Sequence, residues 1–326
     1  MPLQPSCSSS WSLIRLQLRP KKAIGLSSSE EMARSDWRIG MVGLGALGLP
    51  MAVNLRQAGL KLKVHTRSRG AETDPQLAGA SPCANPAATA EKVDVLLLCV
   101  SDDNAVHDVL FGRDGAAEQL QPGSIVIDCS TISPKGAQQA AAQLEQIGVH
   151  YLDAPVTGGT EGARAGSLTV LVGGDADVLA KVRPLLEVIG GSIHHIGAVG
   201  RGQQAKAVNQ VLVAGSYAAV AEAIALGQRL ELPMPQVIDA LKCGAAGSWA
   251  LNHRSGAMLQ GHYPLGFKLS LHHKDLGIAL ETANSVELDM PITALVEQLE
   301  SDLIQKGYGN DDVSALHRWN AAKGEA

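Results

Sequence analysis

The chain has 326 residues, 45% hydrophobic and 18% charged, enough to bury one large or two ordinary domains and unlike the composition of a disordered protein. A net charge of -5 with only 4 tryptophans, 4 tyrosines and 2 phenylalanines argues against a surface that grips phosphate backbones or stacks bases, so nucleic acid is not an expected partner. Cys7, Cys83, Cys99, Cys129 and Cys243 form no C-x-x-C pair and join no histidine at zinc spacing, which argues against a disulfide framework and a structural metal and fits a reducing compartment.

Residues 1–35 stand apart. Ser8, Ser9, Ser10, Arg15, Arg19, Lys21 and Lys22, with no acid before Glu30, resemble an organelle targeting peptide. The preferred reading is a disordered extension, or an upstream start bypassed in favour of Met32, and a cytoplasmic protein. From residue 36 to about 200, short β-branched or apolar runs alternate with amphipathic segments. Strands are expected at 38–42, 62–66, 93–100, 124–129, 151–153, 169–172 and 192–196, with helices such as 50–58 and 134–147 between them. This is the pattern of a Rossmann-type, doubly wound, mainly parallel sheet in an α/β domain. From 201 to 326 the strands stop, and apolar-periodic segments at 203–230, 235–241, 271–286 and 292–306 predict an all-helical domain. No stretch reaches the roughly 18 uninterrupted apolar residues of a bilayer span. The run 211–226 is broken by Gly215, Ser216 and Glu222 and reads as a buried helix, so no membrane partner is expected.

Gly43-Leu44-Gly45-Ala46-Leu47-Gly48 follows the first expected strand and opens a helix, the setting in which G-x-G-x-x-G signals a dinucleotide site. The first glycine allows the tight turn, the second admits the pyrophosphate, and the third lets helix and strand pack. At the end of the second strand, where NAD enzymes carry an acid, stand Thr66-Arg67-Ser68, with no acid until Glu72. An arginine between hydroxyls suits the 2′-phosphate of NADP, so NADP is the preferred cofactor. If Arg67 is only a solvated cation, NAD serves as well. Val100-Ser101 ends the third expected strand and Thr131 follows the fourth, both at the carboxyl edge, where dinucleotides lie.

Four motifs in order make the chain resemble the β-hydroxyacid dehydrogenase family, the group of 3-hydroxyisobutyrate dehydrogenase, tartronate semialdehyde reductase and the glyoxylate and succinic semialdehyde reductases. They are the glycine motif; Asp153 to Gly159 with Gly166-Ser167-Leu168; Gly202 to Gln210; and Phe267-Lys268-Leu269 with Lys274-Asp275-Leu276. The resemblance covers nearly everything from Arg38 to Ala322. It implies hydride transfer between a nicotinamide and a small hydroxy acid or semialdehyde acid, with no metal and with a homodimer or homotetramer as the assembly. It also implies that Lys206 moves the proton, that Thr157, Gly158 and Gly159 hold the substrate carboxylate, that Asn209, Gln210 and Phe267 line the substrate site, and that Lys274 and Asp275 close over the cofactor. Lys206 sits among Ala205, Ala207 and Val208, an apolar setting that would lower its pKa; the competing reading is a lysine snorkelling to solvent. For Thr157 to Gly159 the competitor is a plain turn, and for Lys274-Asp275 a surface charge pair. Two departures from the family pattern are Thr157 for serine and Gln210 for asparagine. Gly244-Ala245-Ala246-Gly247-Ser248 and Asn209-Gln210 lean toward tartronate semialdehyde or glyoxylate as substrate, whereas the generic family substrate is 3-hydroxyisobutyrate. His272 and His273 are expected at a helix start or interface, and Cys99 and Cys129 are expected to pack inside. A nucleotide-binding regulatory protein without chemistry and an assembly protein are the rival functions; retention of Lys206 with Lys274 favours catalysis.

Overall fold

The computed structural model describes residues 37–321, so the expectations for residues 1–35 lie outside the described residues. Strands β1 (Arg38–Val42), β2 (Lys61–His65), β3 (Ser81–Pro82), β4 (Val95–Leu98), β5 (Ile125–Asp128) and β6 (His150–Asp153) stand in the parallel order β3-β2-β1-β4-β5-β6. After Pro155 the chain continues as β7 (Val156–Thr157). Both β6 and β7 pair antiparallel with β8 (Leu168–Gly173), whose other side takes β9 (Gly190–Gly197) in parallel.

Successive side chains of a strand point to opposite faces, and a parallel sheet covered on both faces must be apolar at every position. In β4, Val95 and Leu97 enter one core and Leu96 and Leu98 the other. In β5, Ile125 and Ile127 face the first core and Val126 the second. The first core is closed by α1 (Gly48–Gln57) and α6 (Ala176–Ile189), the second by α3 (Asp103–Phe111) and α4 (Pro134–Glu145). Two short helices, α2 (Pro86–Ala90) and α5 (Gly159–Ala165), complete this half of the described chain.

The strand order reverses between β1 and β4, and in open sheets of this kind the ligand crevice lies outside the carboxyl ends at that point. From the far side of the sheet comes α7 (Arg201–Arg229), a 29-residue helix about 44 Å long at 1.5 Å per residue. Its first turn is seated on Asp153, whose carboxylate accepts the N–H of Gly200 at 2.7 Å and of Gln203 at 2.9 Å. The remainder is the spine of the helical half. Around it pack α9 (Trp249–Leu259), α10 (Leu269–Asn284), α11 (Pro291–Gln305) and α12 (His317–Ala321), with the short α8 (Met234–Leu241) beside it. By length and hydropathy alone α7 is apolar enough to cross a membrane; Lys206 and Gln210 are buried in it, and α9, α10, α11 and α12 pack against it.

The expected strand over 93–100 is shorter in the structure, because Cys99 and Val100 turn out into the crevice. Helix α9 was not expected. Gly256 interrupts its centre, and its asparagine, histidine and arginine disguise the apolar periodicity of Ala250, Leu251 and Met258.

Candidate active site

The crevice begins at the turn after β1. Gly43 has φ +98°, and a Cβ added there would lie 2.2 Å from the Cys99 carbonyl oxygen. One added to Gly48 would lie 1.9 Å from the Gly43 carbonyl oxygen. Both positions therefore exclude any side chain. Gly45 differs: it is exposed, and nothing comes within 4 Å of an added Cβ, which leaves an open cradle for a close-lying ligand. Helix α1 starts from Leu47 with no side-chain cap and no acid in its first turn; Leu49 N–H donates to the Gly45 carbonyl oxygen at 3.0 Å and Pro50 has none to give, but the positive end of the helix is left open to a pyrophosphate. Ala46 is exposed on the same turn, while Leu44 turns into the core. These features fit a dinucleotide.

At the end of β2, Thr66 is buried and Arg67 and Ser68 are exposed. Glu72, the first acid after the strand, is folded back beneath it. Its Oε1 accepts the Thr66 N–H at 3.3 Å and pairs with Arg69 Nη1 at 2.8 Å, with the Glu72 side chain 2% exposed. Burial raises the Glu72 pKa, but backbone N–H groups and Arg69 outweigh it and keep the group ionised. No acid is thus left free at this strand end to take a ribose hydroxyl.

Across the crevice lies a cavity of about 470 Å³ between the carboxyl edge of the sheet and the helical half. Lys206, on the second turn of α7, reaches it while only 6% exposed, and its Nζ donates to the Val156 carbonyl oxygen at 2.9 Å. Burial brings the Lys206 pKa down to about 8, with Asp275 pulling it up and Lys274 pushing it further down. The competing picture of a snorkelling lysine does not hold. One turn on, Gln210 Nε2 donates to Asp275 Oδ2 at 2.6 Å, and Asn209 Nδ2 donates to Gln210 Oε1 at 2.6 Å. Lys274 pairs with Asp275 Oδ1 at 2.9 Å and donates to the Thr131 carbonyl oxygen. Asp275 is therefore the centre of a network joining α7, α10 and the end of β5. With Asp275 only 3% exposed, this is no surface charge pair.

The opposite wall is the turn after β7. Gly158 has φ +129° and Gly159 φ +64°, conformations that disfavour other residues, and both line the cavity beside Thr157. From the helical half come Tyr217, Trp249, Arg254, Gly266 and Phe267. Two pocket walls thus meet in one cavity with a buried lysine of lowered pKa, an arrangement that can hold a small acid and move a proton.

Residues 38–197 match the family described as the NAD binding domain of 6-phosphogluconate dehydrogenase, and residues 200–320 match the NAD-binding family of NADP-dependent 3-hydroxyisobutyrate dehydrogenase. The chain is 37% identical to the 2-hydroxy-3-oxopropionate reductase of Escherichia coli over 280 residues, covering 86% of this chain and 95% of the relative. It is 36% identical to the NAD-dependent L-serine dehydrogenase of Pseudomonas aeruginosa over 288 residues, covering 86% of this chain and 97% of the relative. The crystal structure of a 3-hydroxyisobutyrate dehydrogenase from Salmonella typhimurium superposes with a TM-score of 0.78 at 31% identity, covering 87% of this chain and 99% of the other. The chain belongs to the β-hydroxyacid dehydrogenase family. It is an NAD(P)-linked oxidoreductase of the class that acts on hydroxy acids.

Within this dehydrogenase, thirteen of the residues singled out from the sequence line the cavity: Leu47, Val100, Ser101, Thr131, Thr157, Gly158, Gly159, Lys206, Asn209, Gln210, Phe267, Lys274 and Asp275. Gly43, Leu44, Gly45, Ala46 and Gly48 form the turn beside it, and Thr66, Arg67 and Ser68 stand at the neighbouring strand end; none of these eight is part of its wall. Ser130 adds a contact the sequence did not suggest, its hydroxyl accepting the Val100 N–H at 2.9 Å. Cys129 is buried as expected, but both Cys99 and Cys129 also face the cavity. Burial raises both thiol pKa values, that of Cys99 to about 12, which keeps both protonated.

His272 stands in the first turn of α10, as expected of a helix-start residue, and it is fully buried there: its Nδ1 lies 2.6 Å from Glu300 Oε1, and its ring meets that of Phe267 edge-on at 5.7 Å between centroids. The partner acid lies 28 residues on, in α11, beyond the reach of local spacing. In the segment 244–248, outside the cavity wall, Ser248 caps α9, accepting the Leu251 N–H at 3.1 Å. Arg254 and Trp249, which do line the cavity, follow from that cap and were not foreseen. Among the described residues no group of three or more histidines, cysteines or acids is placed to hold a metal.

Proposed function

We propose that the protein catalyses reversible reduction of a small semialdehyde acid or 2-oxo acid to its hydroxy acid, with NADP as preferred cofactor. The observation that carries this reading is the buried Lys206, with a pKa of about 8, in the cavity shared by the switch-point crevice and the Thr157–Gly159 turn. The nicotinamide, when bound, supplies or accepts the hydride. Lys206 gives a proton to the carbonyl oxygen in reduction and takes it from the alcohol in oxidation. The Thr157 hydroxyl and the N–H groups of Gly158 and Gly159 orient the carboxylate, and Gln210, held by Asp275, stands beside the reacting oxygen. Lys274, anchored on Thr131, joins the helical half to the nucleotide half. Arg67 and Ser68, exposed at the end of β2 with Glu72 withdrawn, support the 2′-phosphate. The relative named 2-hydroxy-3-oxopropionate reductase supports tartronate semialdehyde, with glyoxylate, succinic semialdehyde and 3-hydroxyisobutyrate as the other members of the class. The test is a panel of these acids with both cofactors on the wild type and Lys206→Ala. The expected result is a lower KM for NADPH than for NADH and a kcat loss of about 10²–10⁴-fold in the variant. A variant keeping more than about a tenth of kcat removes the proton role, since a positioned acid–base group contributes far more.

A further inference from the structure

Arg254 is the third cation of the cavity wall and has no part in the proton or hydride step above. It rises from α9 of the helical half, and its side chain is only 9% exposed. Its Nη2 donates to Glu161 Oε1 at 2.8 Å; Glu161 lies in α5 of the nucleotide half, two residues beyond Gly159. Its Nε is 3.4 Å from Asp312 Oδ1, and the guanidinium lies over the Trp249 ring at 4.6 Å from the centroid.

Asp312 is itself held by three backbone N–H groups and one hydroxyl. Oδ2 accepts the N–H groups of Gly266 and Phe267, each at 2.9 Å, and Oδ1 accepts Ser314 N at 3.0 Å and Oγ at 2.7 Å. One guanidinium therefore connects the segment that presents Phe267 to the turn that presents Thr157, Gly158 and Gly159. The two segments meet closely here. A Cβ added to Gly266 would lie 2.2 Å from Arg254 Nη2, and one added to Gly159 would lie 3.8 Å from the Gly266 carbonyl oxygen and 3.0 Å from Glu161 Oε2.

A buried guanidinium between two carboxylates is a poor device for stability alone, because the desolvation of the charges offsets most of their attraction and a well-packed apolar contact does as well. Its particular property is direction, since the planar fork fixes the angle and distance of what it joins. We propose that Arg254 and Glu161 are a positioning pair that sets the Thr157–Gly159 turn against the Phe267 wall, so that the acid's carboxylate is gripped at the correct distance from Lys206. This rests on the reading of that turn as the carboxylate holder.

The experiment measures kcat and KM for the preferred acid, and kcat/KM for an aldehyde of similar length lacking a carboxylate, in Glu161→Gln, Arg254→Met, the double variant, Arg254→Lys and Thr157→Ala. Glu161 is half-exposed, so Glu161→Gln tests the pair even if Arg254→Met is poorly folded. The expected result is a rise in KM for the acid of about tenfold, the loss of one charge-assisted hydrogen bond. The KM for NADPH and the kcat/KM for the carboxylate-free aldehyde should stay at wild-type values. The double variant should be no worse than Arg254→Met, because a pair broken once cannot be broken again, and Arg254→Lys should recover part of the loss by keeping the charge. An acid KM unmoved in Glu161→Gln, losses that add in the double variant, or an equal loss on the carboxylate-free aldehyde overturns the pair. Thr157→Ala separates the two readings: if it raises the acid KM while Glu161→Gln does not, the carboxylate turn stands and only the pair falls; if neither moves it, both fall.

Discussion

Lys206 and Arg254 are both buried cations facing the cavity, and their surroundings give them opposite behaviour. Arg254 lies between Glu161 and Asp312: burial lowers its pKa, but the two carboxylates outweigh this, so it stays charged throughout. Lys206 has only a backbone carbonyl at hydrogen-bond distance, and burial brings it into the working range of pH at about 8. Because the ammonium is the acid in reduction and the amine the base in oxidation, the two directions should have mirrored pH profiles. For reduction kcat/KM is expected to be level below pH 8 and to fall about tenfold per unit above it; for oxidation it should rise toward pH 8 and then level. Initial rates between pH 6 and 10 in both directions check this, and coincident profiles would remove Lys206 from the proton step. Lys206 was legible in the sequence because the segment 202–210 resembles a family motif, supported by the oddity of a cation among alanines and valine. Arg254 was not, because its partners lie 93 and 58 residues away and its own segment has no clear period.

At the scale of elements, the central joint is between the sheet and α7. Asp153 ends β6 and is fully buried, and it closes the first turn of the helix that carries Lys206 and Gln210. Burial raises its pKa, and the N–H groups of Gly200 and Gln203 draw it back without cancelling the rise. Removing the acceptor leaves two buried N–H groups unsatisfied, so Asp153→Ala is expected to lower stability by about 2–4 kcal/mol. It should also lower kcat while leaving KM for NADPH near wild type, since the turn after β1 is untouched. Urea denaturation with initial rates checks both outcomes, and a variant of unchanged stability would show that water satisfies the helix start. The sequence marked Asp153 only as part of a motif. That it serves as a cap across 47 residues emerges from the pairing of β6 with β5 and the return of the chain through β8 and β9.

The whole molecule presents Val208, Leu212 and Leu226 along α7, Leu230 just past its end, and Ile292 and Leu295 on α11, each more than half exposed. Large apolar side chains gathered on one half are the surface that a second copy would cover. We propose a homodimer or homotetramer through the helical half. Size-exclusion chromatography with light scattering is expected to give at least twice the 33.9 kDa chain mass, and Leu212→Glu with Leu295→Glu is expected to shift it toward the monomer. A wild-type monomer at micromolar concentration would refute the assembly. The nucleotide half was readable from the chain because its signals are local: a glycine turn, apolar runs alternating with amphipathic segments, and an acid missing where Arg67 stands. Short motifs that resemble the family's own exposed Lys206, Thr157 and Lys274 one at a time. Their convergence in one cavity, the burial of His272 against Glu300, the withdrawal of Glu72 and the bridge from Arg254 to Glu161 depend on contacts between distant segments. Spacing along a chain carries only neighbours on one helix or strand, so these relations exist only once the sheet, α7 and the helices around it are packed.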